Sequence, residues 1–155
     1  MSSREAPTLF PMCRIVSAVG ALVELGDAPL GARRYVPLGA GEVSGPVLNG
    51  RLVEGGVDWQ WLRRDGALEI RAHYVIRADD GALIEVTSEG LRHGPPEVMA
   101  ALARGEPVPP QAYFFRTFIR WTTGAAAWDH LNRTMSVAVA QRTARSVALD
   151  VFGLR

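Results

Sequence analysis

The feature that most constrains the fold is a regular alternation of apolar and polar residues, interrupted by Asp-Gly steps. From Ala67 to Arg77 apolar residues recur at every second position, and Leu83–Ser88 alternates in the same way. Asp65-Gly66 precedes the first segment, and Asp80-Gly81 separates the two. Alternation is typical of strands with one buried face, and Asp-Gly between such runs is typical of tight hairpins. The pattern therefore predicts antiparallel strands in which sequence neighbours pair.

The same pattern extends over most of the 155 residues. Two short helices are predicted at Pro95–Arg104 and Ala125–Leu131, where prolines or alanines replace the alternation. The glycine-dense segment from Gly31 to Gly56 is predicted to form short extended pieces joined by turns. The remaining predicted strands are Met12–Leu25, Asp58–Leu62, Tyr113–Trp121, Thr134–Gln141 and Ser146–Phe152. About eight to ten strands result, enough to close an all-β barrel. We expect one domain over residues 1–155, with residues 1–7 flexible.

Composition excludes several classes of function. All 17 basic residues are arginine, which rules out a lysine Schiff base and a P-loop lysine. The net charge of +1 is too evenly distributed for a nucleic-acid-binding surface. The apolar run Ile15–Leu25 is too short to span a membrane. The lone Cys13 suits a reducing compartment, so we expect a cytoplasmic protein. The spacing of His73, His93 and His130 indicates no metal site, and we expect no cofactor.

Several polar and aromatic residues would be costly to bury without partners. Alternation places Tyr74 inside the barrel and His73 outside. Tyr74 is then either a proton donor in a cavity or a core residue whose hydroxyl binds the backbone. Asp58 begins a strand and either caps a turn or faces the barrel mouth as a general base. Both faces of the strand containing Arg116 are half apolar, so Arg116 either points inward, to stabilise an oxyanion, or lies on the surface.

The sequence resembles the DUF3237 family, also called UPF0311, over nearly the whole chain from about Val16 to Val151. The segments that carry the resemblance are Gly31–Leu38, Gly45–Gly50, Gly55–Trp59, Ala72–Tyr74, Asp80–Ile84, Phe115–Thr117 and Trp128–Asn132. The resemblance implies a lipocalin-like, up-and-down β-barrel; the function of the family is largely uncharacterised. The chain departs from the family pattern at Trp121-Thr122-Thr123, where an acidic residue is expected, and at His130.

Our leading hypothesis is a barrel that binds a small organic molecule and performs cofactor-free acid–base chemistry on an apolar carbonyl compound. Isomerisation, cyclisation and dehydration all fit. Asp58 would be the base, Tyr74 the acid and Arg116 the oxyanion stabiliser. The predicted substrate-binding residues are Trp59, Trp128, Asn132 and Thr117. The alternatives are a carrier with the same cavity and no turnover, and an interaction module that forms homodimers.

Overall fold

The structure, a computed structural model, describes residues 4–155. It contains nine strands and one α-helix, α1, at Pro96–Ala103, with two 3-10 helices at Pro110–Ala112 and Ala126–Arg133. The strands are β1 Leu9–Val19, β2 Val23–Ala28, β3 Gly31–Ser44, β4 Gly50–Leu62, β5 Leu68–Ala78, β6 Leu83–His93, β7 Phe114–Thr122, β8 Met135–Arg142 and β9 Ser146–Leu154. The expected flexible segment 1–7 lies partly outside the described residues, and residues 4–7 are exposed without regular structure.

Eight of the strands form a closed antiparallel barrel. From β3 to β9 each strand pairs with the next, and β1 closes the ring by pairing with both β9 and β3. Ile15 lies opposite Leu149 on one side and Val43 on the other. The short β2 pairs only with the first part of β3. Closure leaves no free edge on the eight strands, and it confirms the predicted all-β, up-and-down antiparallel barrel with short helices.

The barrel interior is built by the alternation seen in the sequence. Along β5 and β7 buried and exposed residues alternate almost without interruption. The inward residues of these two strands are Leu68, Ile70, Ala72, Tyr74, Ile76, Phe115, Thr117, Ile119 and Trp121. The predicted Asp-Gly turns are also present. Gly66 and Gly81 have φ near 90°, a conformation that glycine adopts easily. The aspartate before each glycine accepts a hydrogen bond from the backbone N–H two residues on.

The two ends of the barrel differ in chemistry. At the lower end, where β5 turns into β6, Met12, Leu48 and Leu131 are fully buried and close the interior with apolar packing. At the upper end, where β6 leaves the barrel, α1 follows and buries Leu102. Three arginines lie on the strand ends here: Arg34 near the start of β3, Arg92 near the end of β6 and Arg142 at the end of β8. The upper end is therefore the polar one.

The strand boundaries predicted around Gly20 and between Gly31 and Gly56 are wrong. The predicted strand Met12–Leu25 is two strands, because residues 20–22 form a connection without strand structure between β1 and β2. The segment Gly31–Gly56 forms most of two long strands and not short pieces. A Cβ at Gly41 would collide with the Val16 carbonyl of β1, so this glycine permits close approach of two strands and does not mark a turn.

Candidate functional site

A cavity of about 40 Å³ lies in the middle of the barrel. Its wall is largely aliphatic and aromatic, with Asp58, Tyr74, Ser88 and Thr117 among the polar residues that line it. This volume holds about one water molecule. A larger ligand must therefore enter from the upper end or displace side chains there, since the lower end is filled by apolar residues.

Four buried side-chain atoms have no hydrogen-bond partner among residues 4–155, and all four belong to the interior. They are Asp58 Oδ1, Tyr74 Oη, Thr117 Oγ1 and Arg92 Nε. Leaving a polar atom buried and unpaired costs about 1–3 kcal/mol, so such atoms are few in folded proteins. Asp58, Tyr74 and Thr117 line the cavity, and Arg92 lies at the upper end of the barrel. The three unpartnered atoms in the cavity indicate a site arranged for the polar groups of a ligand.

Local backbone geometry brings Asp58 and Tyr74 to this chamber. Between Val53 and Val57, β4 carries two more residues than the facing part of β5, and Gly55 in this bulge has φ 108°. A Cβ at Gly56 would lie 2.6 Å from Tyr74 Cβ, so glycine lets β4 approach β5 closely. The bulge precedes Asp58 and fixes its position opposite Ala72.

The pKa of the Asp58 carboxyl is raised toward neutrality. Burial raises its pKa to about 6, against the opposing effects of the Gln60 hydrogen bond and of Arg92, Arg142 and Arg34. Gln60 Nε2 donates to Asp58 Oδ2 at 2.7 Å, while Oδ1 stays free. A carboxyl that titrates near neutrality and has an unbound oxygen can accept and return protons.

The Tyr74 phenol is a fixed proton donor. Its residue is 5% exposed, and burial, with smaller effects from Cys13 and Asp58, raises its pKa well above its usual range. The hydroxyl therefore keeps its proton over the physiological pH range and can donate a hydrogen bond. Of the two roles considered for Tyr74, the structure excludes a hydroxyl tied to the backbone, since Oη has no partner.

Arg92 was missed by sequence reasoning, although it is the most buried charge at the upper end. It is 7% exposed, its guanidinium lies over the Phe115 ring at 5.5 Å, and burial followed by repulsion from Arg142 and Arg34 lowers its pKa to about 10. The predicted strand ended at Ser88. Continuing its alternation by four residues would have placed Arg92 on the inner face.

Arg116 does not reach the cavity, and its predicted role as oxyanion stabiliser is wrong. It lies on the outer face of β7, where alternation buries its neighbours Phe115 and Thr117. Its guanidinium stacks over the Phe114 ring at 5.2 Å, and Nη1 donates to the Phe115 carbonyl at 3.0 Å. Thr117 lines the cavity as predicted, with its hydroxyl unpartnered.

The other predicted substrate-binding residues also lie away from the cavity. Trp59 is on the outer face, tilted against Tyr35 at 4.8 Å with Arg33 over its ring. Trp128 lies at the lower end, and its Nε1 donates to Asp80 Oδ2 at 2.8 Å. These two tryptophans therefore do not wall the cavity.

Asn132 has a structural role. Its side chain accepts from the Thr123 N–H at 2.8 Å and donates to the Thr123 carbonyl at 2.9 Å. This pair of bonds fixes the loop that follows β7, so the amide is not free to orient a substrate.

No group of three His, Cys, Asp or Glu side chains among residues 4–155 is arranged to hold a metal ion. None of the helices in this part of the chain is long and apolar enough to cross a membrane.

Comparison with known proteins places this geometry in a family. The sequence model described as "Protein of unknown function (DUF3237)" matches residues 7–154. The chain belongs to the DUF3237 family. A UPF0311 protein of Rhodopseudomonas palustris is 36% identical over 137 residues, covering 88% of this chain and 90% of the relative. Its crystal structure superposes with a TM-score of 0.92 over 99% of this chain and 100% of that one.

Two other crystal structures share the DUF3237 barrel fold. A "beta-barrel like protein" of Acinetobacter baumannii has a TM-score of 0.87 and 32% identity, and the match covers both chains completely. A protein described as "an enzyme" from Penicillium herquei has a TM-score of 0.74 and 18% identity, again over both whole chains. At that identity the likeness extends to the fold alone.

Proposed function

We propose that this DUF3237 protein is a cofactor-independent acid–base enzyme that isomerises, cyclises or dehydrates a small carbonyl compound inside its barrel. The observation that carries the proposal is the Asp58 carboxyl. Its Oδ1 atom is buried in the cavity without a partner, beside a protonated phenol, and burial raises the pKa of the carboxyl to about 6. A carboxylate fixed only for structural reasons would have both oxygens bonded.

The chemistry follows from the positions of the polar atoms. Asp58 Oδ1 would remove a proton from the carbon next to the substrate carbonyl. The resulting enolate oxygen would accept a hydrogen bond from Tyr74, and Thr117 can donate a second. The protonated Asp58 then returns its proton to another carbon or to a leaving oxygen, which restores the carboxylate and balances the proton. Arg92 lies at the upper end of the barrel, and its positive charge favours the ionised form of Asp58, which is the form that acts as a base.

A second candidate is a carrier that holds the same ligand without turnover, and proton exchange separates the two. Acetone, cyclohexanone and acetylacetone are incubated with the protein in D₂O, and deuterium incorporation next to the carbonyl is followed by ¹H NMR. We expect the wild type to accelerate exchange of at least one probe and Asp58→Asn to lose about 100-fold or more of that acceleration. The matched control is Arg116→Met, on the outer face, which should retain it.

The opposite result is equally informative. Binding of a probe with exchange at the rate of buffer alone would favour the carrier. Exchange that persists in a folded Asp58→Asn protein would contradict the role of Asp58. The Penicillium herquei protein described as an enzyme is consistent with catalysis in such a barrel, although the support for this chain comes from its own residues.

A further inference from the structure

Three guanidinium groups converge on one carboxylate at the upper end of the barrel. Arg34 Nε donates to Gln60 Oε1 at 2.9 Å, and Gln60 in turn donates to Asp58 at 2.7 Å. Arg92 lies over the Phe115 ring, which lines the same cavity as Asp58, and Arg142 ends β8 at the same end of the barrel. The positive charges of Arg92 and Arg142 lower the pKa of the Asp58 carboxyl. Arg34, Arg92, Arg142 and Asp58 therefore form one group of charged side chains. We call this group the arginine cluster.

The charges of this cluster do not balance. With Asp58 ionised, three positive charges face the carboxylate of Asp58 and that of Glu24, which lies opposite Arg34 on β2, so an excess of one positive charge remains. Among the described residues none of the three arginines forms an ion pair with a carboxylate within 4 Å. Buried charges in proteins are normally paired, because an isolated buried charge is costly. A site of this kind is stabilised by an anion that enters from outside.

Arg92 shows most directly that the cluster is a binding site. Its side chain is more than nine-tenths buried, and Nε has no hydrogen-bond partner. The Arg142 side chain, by contrast, donates from Nη1 to the Ser146 carbonyl at 3.1 Å and to the Thr143 carbonyl. A buried guanidinium edge without an acceptor is suited to a planar group with two oxygens, since its fork matches a carboxylate.

We propose that Arg34, Arg92 and Arg142 bind the carboxylate of the substrate, and that the substrate class is small oxo acids. This inference rests on the proposed function for the carbonyl and adds the acid group. The carboxylate lies among the arginines at the upper end, and the short carbon chain extends downward to Asp58 and Tyr74. The aliphatic wall of the cavity, with Ile15, Leu38, Leu52 and Leu149, then contacts the carbon chain. The sequence predicted a small apolar carbonyl compound, and the present proposal adds a charged end to it.

A surface groove lies beside Arg142. A groove of about 750 Å³ runs between the loop that follows α1, residues 105–110, and the β8–β9 hairpin, residues 141–145. Arg142 is one of its lining residues, and the Arg142 N–H donates to Tyr113 Oη at 3.1 Å. The groove therefore leads from the surface to a member of the arginine cluster.

The test compares an oxo acid with its neutral ester. Levulinate and methyl levulinate are titrated by calorimetry at pH 8, where Asp58 is ionised, into the wild type, Arg92→Met and Arg116→Met. We expect the wild type to bind levulinate at least about tenfold more tightly than the ester. Arg92→Met should lose about tenfold or more of the levulinate affinity and leave ester binding unchanged. Arg116→Met, on the outer face, should bind both compounds like the wild type.

Asp58→Asn separates this inference from the proposed function. Removing the negative charge strengthens the field of the arginines, so we expect this variant to bind levulinate roughly tenfold more tightly while its proton-exchange activity is lost. Binding of the acid without any exchange in the wild type would leave the subsite standing and contradict the enzyme. Exchange of neutral ketones, without tighter binding of the acid than of the ester, would support the enzyme and contradict the carboxylate subsite.

Several results would overturn the carboxylate subsite. They are equal affinity of acid and ester, absence of levulinate binding at millimolar concentrations, an equal loss in Arg92→Met and Arg116→Met, and tighter binding of inorganic phosphate at the same arginines. Circular dichroism spectra and thermal unfolding of each variant establish that it is folded. If Arg92→Met does not fold, Arg142→Met takes its place, since that side chain is only partly buried.

Discussion

Replacing Asp58 by asparagine should make the protein more stable at neutral and alkaline pH. Asparagine has nearly the same shape and keeps an oxygen that can accept the Gln60 hydrogen bond. Burial raises the carboxyl pKa from 3.8 to about 6, and each pKa unit corresponds to about 1.4 kcal/mol. Ionising this group in the folded chain therefore costs about 3 kcal/mol at pH 8. The neutral amide avoids that cost.

The pH dependence has a definite sign. Between pH 4 and pH 6 the folded chain binds the Asp58 proton more tightly than the unfolded chain does. Raising the pH through this window therefore removes stability from the wild type, and the loss is complete above about pH 7. Below about pH 3 the carboxyl is protonated in both states. The difference between the wild type and Asp58→Asn should shrink to near zero there.

Urea unfolding followed by tryptophan fluorescence from pH 3 to pH 8 measures this difference. The matched control is Asp150→Asn, which removes a carboxylate from an exposed ion pair with Arg14 and should change stability by less than about 1 kcal/mol. A less stable Asp58→Asn protein at pH 8 would refute the reasoning. It would mean that attraction to the three arginines exceeds the cost of burying the charge. A difference that does not vary with pH would also refute it.

Two further predictions concern residues outside the chemistry. Asn132→Ala should lower the free energy of unfolding by about 1–3 kcal/mol through loss of its bonds to Thr123, and should leave levulinate binding unchanged. A large loss of affinity in a folded Asn132→Ala protein would restore its predicted role in substrate binding. Burial raises the pKa of the Cys13 thiol to about 12, so native protein at pH 8 should react with a disulfide reagent only after unfolding. Rapid reaction in the folded state would show that the thiol is accessible.

The fold was predictable because alternation and hairpin turns are local signals. Asp-Gly steps fixed the β5 and β6 pairing, and the two-residue period placed Tyr74 inside and His73 outside. The glycines between Gly31 and Gly56 were interpreted as turn residues, but most of them lie within two long strands. Glycine serves both in turns and where two backbones approach closely, and only the three-dimensional contact between Gly41 and Val16 distinguishes these uses.

The site was only partly predictable. Tyr74 was placed correctly, since its strand alternates clearly. Asp58 and Thr117 also line the cavity, although Asp58 lies within β4 and not at its start, and alternation alone did not fix the direction of Thr117. Arg116 was not, because apolar residues on both faces of β7 hide its direction. Arg92 was overlooked because the strand was ended too early. The arginine cluster could not be predicted, because its arginines lie on β3, β6 and β8, which are far apart in the sequence. The ends of these strands come together only when the barrel closes.

The closure of the barrel by β1 has a consequence for how the chain reaches its native state. The partner of β1 on one side is β9, so Arg14 meets Asp150 across 136 positions of sequence. Contacts of such separation are slow to form, because a long loop must close first. Until β9 is in place, β1 and β8 each present an unpaired edge that invites association with other chains. A newly made chain is thus most vulnerable to aggregation just before its last strand is added.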